Sequence, residues 1–215
     1  MTSTPEPRGT GRPPGSPPVA CEHGPVGTDV SQFARPRRGH FDLGTGYHGD
    51  LWLDLDGLFF RPALVRPQAR LLADWLRPYR AAAVCGPLAG GAFLAQMVAE
   101  DLGAAFVPAY PGPRQPGRFR LPAPAAGDIG GWRVAVVDDA VNAGTAVRAS
   151  IQAARNAGAV PVAAAALLAV GPAAAAAPRD FGLPFHALAA LRSQAWPAGG
   201  CPLCRDGIPA ERPPA

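Results

Sequence analysis

Residues 133–146 read Arg-Val-Ala-Val-Val-Asp-Asp-Ala-Val-Asn-Ala-Gly-Thr-Ala, and no other segment limits the possible folds of this chain so strongly. The apolar run Val134 to Val137 has the length and β-branched content of a strand buried on both faces. Two acids, Asp138 and Asp139, fall where such a strand would end. A loop of small residues follows, and Thr145 leads into a stretch with Val147, Ile151 and Ala154 at helical spacing. Strand, small-residue loop and helix in this order are the parts of an open α/β sheet. Ligands bind there beyond the carboxyl ends of the strands, where loop amides and a helix N-terminus can hold phosphate. Carboxylates do not favour phosphate, so the acids suit a pair of ribose hydroxyls or an outer shell around Mg²⁺.

An acid pair for a sugar and an amide nest for its 5-phosphate together resemble the signature of the type I phosphoribosyltransferases. The version here, Val137-Asp138-Asp139-Ala140-Val141-Asn142-Ala143-Gly144-Thr145-Ala146, is similar to that of orotate phosphoribosyltransferases. The resemblance implies an α/β fold, with a mainly parallel sheet flanked by helices and a small N-terminal hood. It also implies Mg²⁺-dependent transfer of 5-phosphoribose from phosphoribosyl diphosphate to a nucleobase, as in pyrimidine nucleotide biosynthesis. Asp138 and Asp139 would then hold the ribose hydroxyls, and Ala140 to Ala146 the 5-phosphate.

The flanking pattern supports alternating strands and helices. Arg80 to Cys85 reads as a buried strand, and 92–102 as a helix with Phe93 and Met97 on successive turns, capped by Gly103. Further strands are expected at 104–109 and within 160–170. Leu71, Leu72, Trp75 and Leu76 fit an amphipathic helix before this core. Such alternation implies right-handed crossovers and parallel pairing.

Gly86-Pro87-Leu88-Ala89-Gly90-Gly91 follows a strand and opens a helix, so its amides could meet an anion; a tight turn is the alternative. In the resembled family this place belongs to the diphosphate loop, where many orotate enzymes carry Lys at the position of Gly90. The long segment between Tyr110 and Trp132 holds Arg114, Arg118 and Arg120. Loops of that length are usually functional or disordered. In the family a mobile loop with Lys and His closes here; nothing in this segment matches that Lys/His pattern, and its three Arg are the candidate catalytic residues. A guanidinium can neutralise departing diphosphate but cannot serve as a general acid at neutral pH. A merely solvated basic loop is the alternative.

Phe41, Leu43, Thr45 and Gly46 loosely match the hood of the family, although the basic residue often found near Gly44 is missing. Leu167 to Ala173 carries no charge where orotate enzymes place an Arg for the substrate carboxylate. These departures keep two further readings open: transfer to an uncharged base, and a non-catalytic regulatory protein that binds phosphoribosyl diphosphate or a nucleotide.

Cys201-Pro-Leu-Cys204 has the spacing of half a zinc site, and Cys21-Glu-His23 could complete it; a loose reduced pair is the alternative, and no metal-ligand residues are assigned. His40, His48 and His186 read as structural or exposed rather than catalytic. All 20 basic residues are Arg. With 27 Pro and 26 Gly, that bias resembles GC-rich coding, so the lack of Lys says little about function. A net charge of +4 suits an anionic small substrate and is too small and scattered for nucleic acid. Apolar runs long enough for a membrane span are lacking, as is a signal-peptide core. A cytoplasmic protein with reduced Cys is expected, and a homodimer is compatible with the sequence. The expected organisation is a Pro/Gly-rich disordered tail over 1–30, a phosphoribosyltransferase domain with its hood over 31–200, and a CPLC-containing tail over 201–215, loose from Asp206.

Overall fold

The computed structural model describes residues 34–43, 46–112 and 117–212. The elements are strands β1 (Arg37–Asp42) and β2 (Tyr47–Trp52), helix α1 (Pro62–Leu76), β3 (Ala83–Pro87), α2 (Gly90–Leu102), β4 (Ala105–Pro111) and β5 (Phe119–Arg120). There follow α3 (Ala123–Asp128), β6 (Arg133–Val141), α4 (Thr145–Asn156), β7 (Val160–Val170), α5 (Ala177–Phe181), β8 (Phe185–Leu191), β9 (Ala195–Pro197) and α6 (Pro202–Arg205). Six strands form one sheet in the order β5-β4-β3-β6-β7-β8. Its pairs are parallel except for β5, which returns antiparallel on β4. A second sheet, β1-β2-β9, is antiparallel and forms the hood.

The period of two in the strands separates two apolar layers. On β6, Ala135 and Val137 join the layer beneath α1 and α2, while Val134 and Val136 join the layer beneath α4 and α5. β7 repeats the division, with Ala163, Ala165 and Leu167 on the first side and Ala164 and Ala166 on the second. Alanine is a poor strand former, yet β7 runs for 11 residues. Burial on both faces overrides the propensity, because small side chains let helices approach a central strand closely. Each fully buried Val is worth about 1.5–3 kcal/mol relative to exposure.

Several elements differ from the sequence expectation in instructive ways. β3 begins at Ala83 and continues through Gly86 and Pro87, which pair with Pro108 and Ala109 of β4. Pairing with β6 has already ended at Cys85, so the missing N–H of Pro87 costs no rung on that side. α2 buries Leu94, Ala95 and Val98, whereas Phe93 is half exposed. In α1, Leu72 and Leu76 are buried with Val65 and Ala69, while Leu71 faces out. The segment 110–132 is not one long loop, since it contains the β4–β5 hairpin and α3. The stretch after Asp206 is tied down as far as Arg212. The Asp42 amide donates to the Glu211 carbonyl at 2.9 Å and the Glu211 amide to His40 at 2.8 Å. Arg37–Glu211 and Arg212–Asp42 ion pairs flank this bridge.

Candidate active site

β6 is longer than its apolar run and carries both acids within the strand before ending at Val141. Asp138 therefore points into the protein and is only 6% exposed, while Asp139 is half buried. Each carboxylate accepts a backbone hydrogen bond from the next residue. Asp138 Oδ1 takes the Asp139 amide at 3.0 Å, and Asp139 Oδ1 takes the Ala140 amide at 2.7 Å. Burial, then the adjacent Asp139 charge, then a shared side-chain hydrogen bond hold the Asp138 carboxyl well above the usual carboxylate range. A pair so placed gains from any hydroxyl donors or cation that lies against it.

The Gly86–Gly91 segment comes directly against these acids. A Cβ on Gly90 would overlap Asp139 Oδ2, and one on Gly91 would overlap Asp138 Oδ1. Two successive glycines are thus required by close approach, and they are the first residues of α2. Gly86 and Pro87 end β3, and Leu88 and Ala89 make the turn, joined by a cis peptide. Leu88 is held by its amide to the Ala109 carbonyl at 2.9 Å. Phe59 also reaches Gly90, and its ring lies 5.6 Å from that of Phe93.

Asn142 and Ala143 form an exposed loop, and Gly144 turns the chain into α4 with φ +70°. A side chain at Gly144 would also strike the Phe181 ring at 2.8 Å. The first-turn amides of a helix lack intrahelical partners, and α4 has no acid in that turn. Thr145 is exposed there with its hydroxyl, so the end of α4 can take an anion. Arg148 was missed by sequence reasoning. It donates to the Ala143 carbonyl at 2.7 Å and to Thr145 Oγ1 at 3.4 Å, bracing the loop and adding positive charge. The available signal was its place one turn beyond Thr145.

Arg118 and Arg120 are exposed on the β5 arm of the hairpin, and Arg114 lies outside the described residues. The Gly112 amide donates to the Arg118 carbonyl at 2.7 Å, and a Cβ on Gly117 would come within 3.9 Å of the Thr145 methyl. Gly117, just before β5, therefore sits beside the start of α4. Arg120 stands over the Tyr110 ring at 5.5 Å. A separate depression of about 350 Å³ between α1 and α2, lined by Pro62, Ala63, Arg66, Met97 and Glu100, shares no residue with these loops.

His186 is structural, stacked on Trp75 at 5.1 Å. His40 and His48, read from the sequence as structural or exposed, lie together in the hood. The fold brings them to Cys201 and Cys204, whereas Cys21 and His23 lie outside the described residues. Among the described residues, no helix is long and apolar enough to cross a membrane.

No protein-family model matches the chain. The orotate phosphoribosyltransferase of Caldanaerobacter subterraneus is 32% identical over 177 residues, covering 82% of this chain and 88% of that protein. That of Thermus thermophilus is 33% identical over 174 residues, covering 80% and 91%. That of Thermotoga maritima is 33% identical over 177 residues, covering 81% and 89%. Among solved structures, the orotate phosphoribosyltransferase of Aeropyrum pernix superposes with a TM-score of 0.61 at 26% identity, over 75% of this chain and 91% of that one. An adenine phosphoribosyltransferase from Thermoanaerobacter pseudethanolicus reaches the same score at 18% identity over 75% and 98%, a likeness of fold alone. With an acid pair beside the N-terminus of a helix, on this sheet order and with relatives matched over most of their length, the chain belongs to the orotate phosphoribosyltransferase family and has the type I phosphoribosyltransferase fold.

Proposed function

We propose that this protein transfers 5-phosphoribose from phosphoribosyl diphosphate to a ring nitrogen of a nucleobase, orotate first among the candidates, as a step of pyrimidine nucleotide synthesis. The observation that carries the reading is the Asp138–Asp139 pair pressed against Gly90 and Gly91 beside the N-terminus of α4. In the transfer, a base nitrogen lone pair forms the new bond to the anomeric carbon. The bond from that carbon to diphosphate breaks, and diphosphate leaves with the electron pair. Positive charge grows on the ribose ring as negative charge grows on the leaving group, so positioning and electrostatics dominate.

Asp138 and Asp139 hold the ribose 2- and 3-hydroxyls, and Ala140 to Ala146 hold the 5-phosphate, with Arg148 fixing the loop. Gly86 to Gly91 offers backbone donors to diphosphate, and Arg114, Arg118 and Arg120 offset its charge as it departs. The oxygen-only donors around the acid pair suit Mg²⁺, which when bound with the substrate would offset diphosphate charge. Asp138 and Asp139 are the residues that would help to hold such an ion, by way of the ribose hydroxyls.

Leu167 to Ala173 contributes no cation, and β7 ends there at Val170 before a Pro-Ala turn. That favours testing uncharged bases beside orotate. Purified protein, phosphoribosyl diphosphate and Mg²⁺ are incubated with orotate, uracil or adenine, and nucleotide product is followed by chromatography. Orotidine 5-phosphate is the expected product. Formation of another nucleotide alone would move the specificity. No product with any base, together with tight phosphoribosyl diphosphate binding, would replace transfer with a regulatory binding role.

A further inference from the structure

The hood holds a second cluster of reactive side chains, apart from the phosphate loops. One ligand atom from each of His40, His48, Cys201 and Cys204 can be chosen so that all lie within 4.8 Å of one another. His40 Nε2 is 2.9 Å from His48 Nδ1, 3.4 Å from Cys201 Sγ and 3.7 Å from Cys204 Sγ. His48 Nδ1 is 3.2 Å from Cys204 Sγ. Four ligands at Zn–N of about 2.0 Å and Zn–S of about 2.3 Å in a tetrahedron stand roughly 3.3–3.8 Å apart, close to these separations.

The backbone prepares the cluster. β1 shifts register between Arg38 and Phe41, and consecutive His40 and Phe41 are both buried, which an alternating strand would not allow. The irregularity turns His40 inward without exposing Phe41. His40 Nδ1 lies 2.7 Å from the Ile208 carbonyl, which can only accept, so that nitrogen carries the proton. In a neutral ring Nε2 then has only a lone pair. Three groups converge on that one lone pair, more than a single hydrogen bond explains. A ring nitrogen anchored to a carbonyl, with its partner nitrogen aimed at a shared centre, is the usual outer support of a metal-bound His. Cys201 is buried, and Cys204 follows at the x₂ spacing in α6.

Among the described residues, the hood has little other interior. Phe41 and Leu51 are the buried apolar side chains of its three short strands, and so small a sheet has little core of its own. We propose that His40, His48, Cys201 and Cys204 bind a structural Zn²⁺ that clasps β1 and β2 to the segment after β9. The ion is four-coordinate and closed, so its role is to hold the hood and not to act on substrate. Coordination forms bonds to two thiolates and two neutral imidazoles, with two thiol protons released to solvent and no electron transferred.

Metal analysis of the full chain, expressed with zinc in the medium, tests this. About one Zn²⁺ per chain is expected, and replacement by Co²⁺ should give intense visible d–d bands and a thiolate charge-transfer band typical of a tetrahedral site. Cys204→Ser and His48→Ala should each lose stoichiometric zinc, while Cys21→Ser with His23→Ala should retain it. Chelation should lower the thermal midpoint. Folded wild-type protein that holds no zinc and gives no cobalt–thiolate band would overturn the proposal, whatever the variants do. A Cys201–Cys204 disulfide found by mass spectrometry in freshly purified protein would do the same. Zinc lost only with Cys21 and His23 would place the metal elsewhere.

Discussion

Asp138 is held at a cost to stability that the proposed ribose-binding role would explain. Its carboxyl is raised chiefly by burial and then by Asp139, so folded protein binds a proton there more readily than unfolded chain does. The sign follows from linkage. Nothing is lost below the ordinary carboxylate range, and stability falls as pH rises from that range through the raised value. Asp138→Asn resembles the protonated form and keeps an acceptor for the Asp139 amide. It should raise the thermal midpoint at neutral pH and flatten the decline that sets in above the ordinary carboxylate range, as followed by calorimetry. The same change should weaken phosphoribosyl diphosphate. Each lost charged hydrogen bond is worth about 1.5–3 kcal/mol, roughly tenfold to a hundredfold, so Asp138→Asn with Asp139→Asn should abolish calorimetric binding. A double variant that folds and binds as before would remove the acids from the site. At Gly144 the opposite holds, because φ +70° and the Phe181 ring leave no place for a methyl group. Gly144→Ala should cost about 2 kcal/mol or more, measured by urea unfolding.

The elements were legible in the sequence in proportion to how local their causes are. α4, with Val147, Ile151 and Ala154 buried, and the Gly103 cap of α2 follow from short-range spacing. The end of β6 did not, because Asp138 and Asp139 look like a terminus until β7 is present to pair with Asp138 at Ala166 and with Ala140 at Leu168. The hairpin over 110–120 was likewise hidden, since Pro and Gly suggest a loop whereas Tyr110 and Arg120 pair across it. In the candidate site, the loop of small residues before α4 was readable from its composition. The pressure of the acids on Gly90 and Gly91 was not, as it depends on contact between segments far apart in sequence, whereas the bonds of Arg148 are local and only its helical spacing from Thr145 hinted at them. Replacing Arg114, Arg118 and Arg120 together with Ala should lower kcat at least about tenfold while phosphoribosyl diphosphate affinity falls much less, if leaving-group charge is what they meet. An unchanged kcat in steady-state assays would make the hairpin a spacer.

Across the whole molecule, the two sheets are built from different parts of the chain. The parallel sheet draws on a continuous stretch from Ala83 to Leu191, and its two apolar layers involve described residues from Ala34 onward. Removing residues 1–30 should therefore shift the thermal midpoint by no more than a few degrees and leave ligand affinity intact. A collapse of either would show that the N-terminal segment supports the core. The hood instead joins residues far apart in sequence, with His48 beside Trp196 and Phe41 bridged to Glu211. Local patterning can show His40, His48 and the Cys pair separately, but only the closed sheet shows that they share a centre.

That same closure has a consequence during synthesis. Chains emerge from the ribosome N-terminus first and fold domain by domain as they appear. β1 and β2 are made early, yet β9 and the strand-like bridge at Glu211 arrive last. The nascent chain can complete its parallel sheet while its first hairpin still waits for a partner, and a message truncated after Leu191 would yield a core without a finished hood. Any bulky group joined close after Arg212 would burden a part of the hood that is assembled after the parallel sheet.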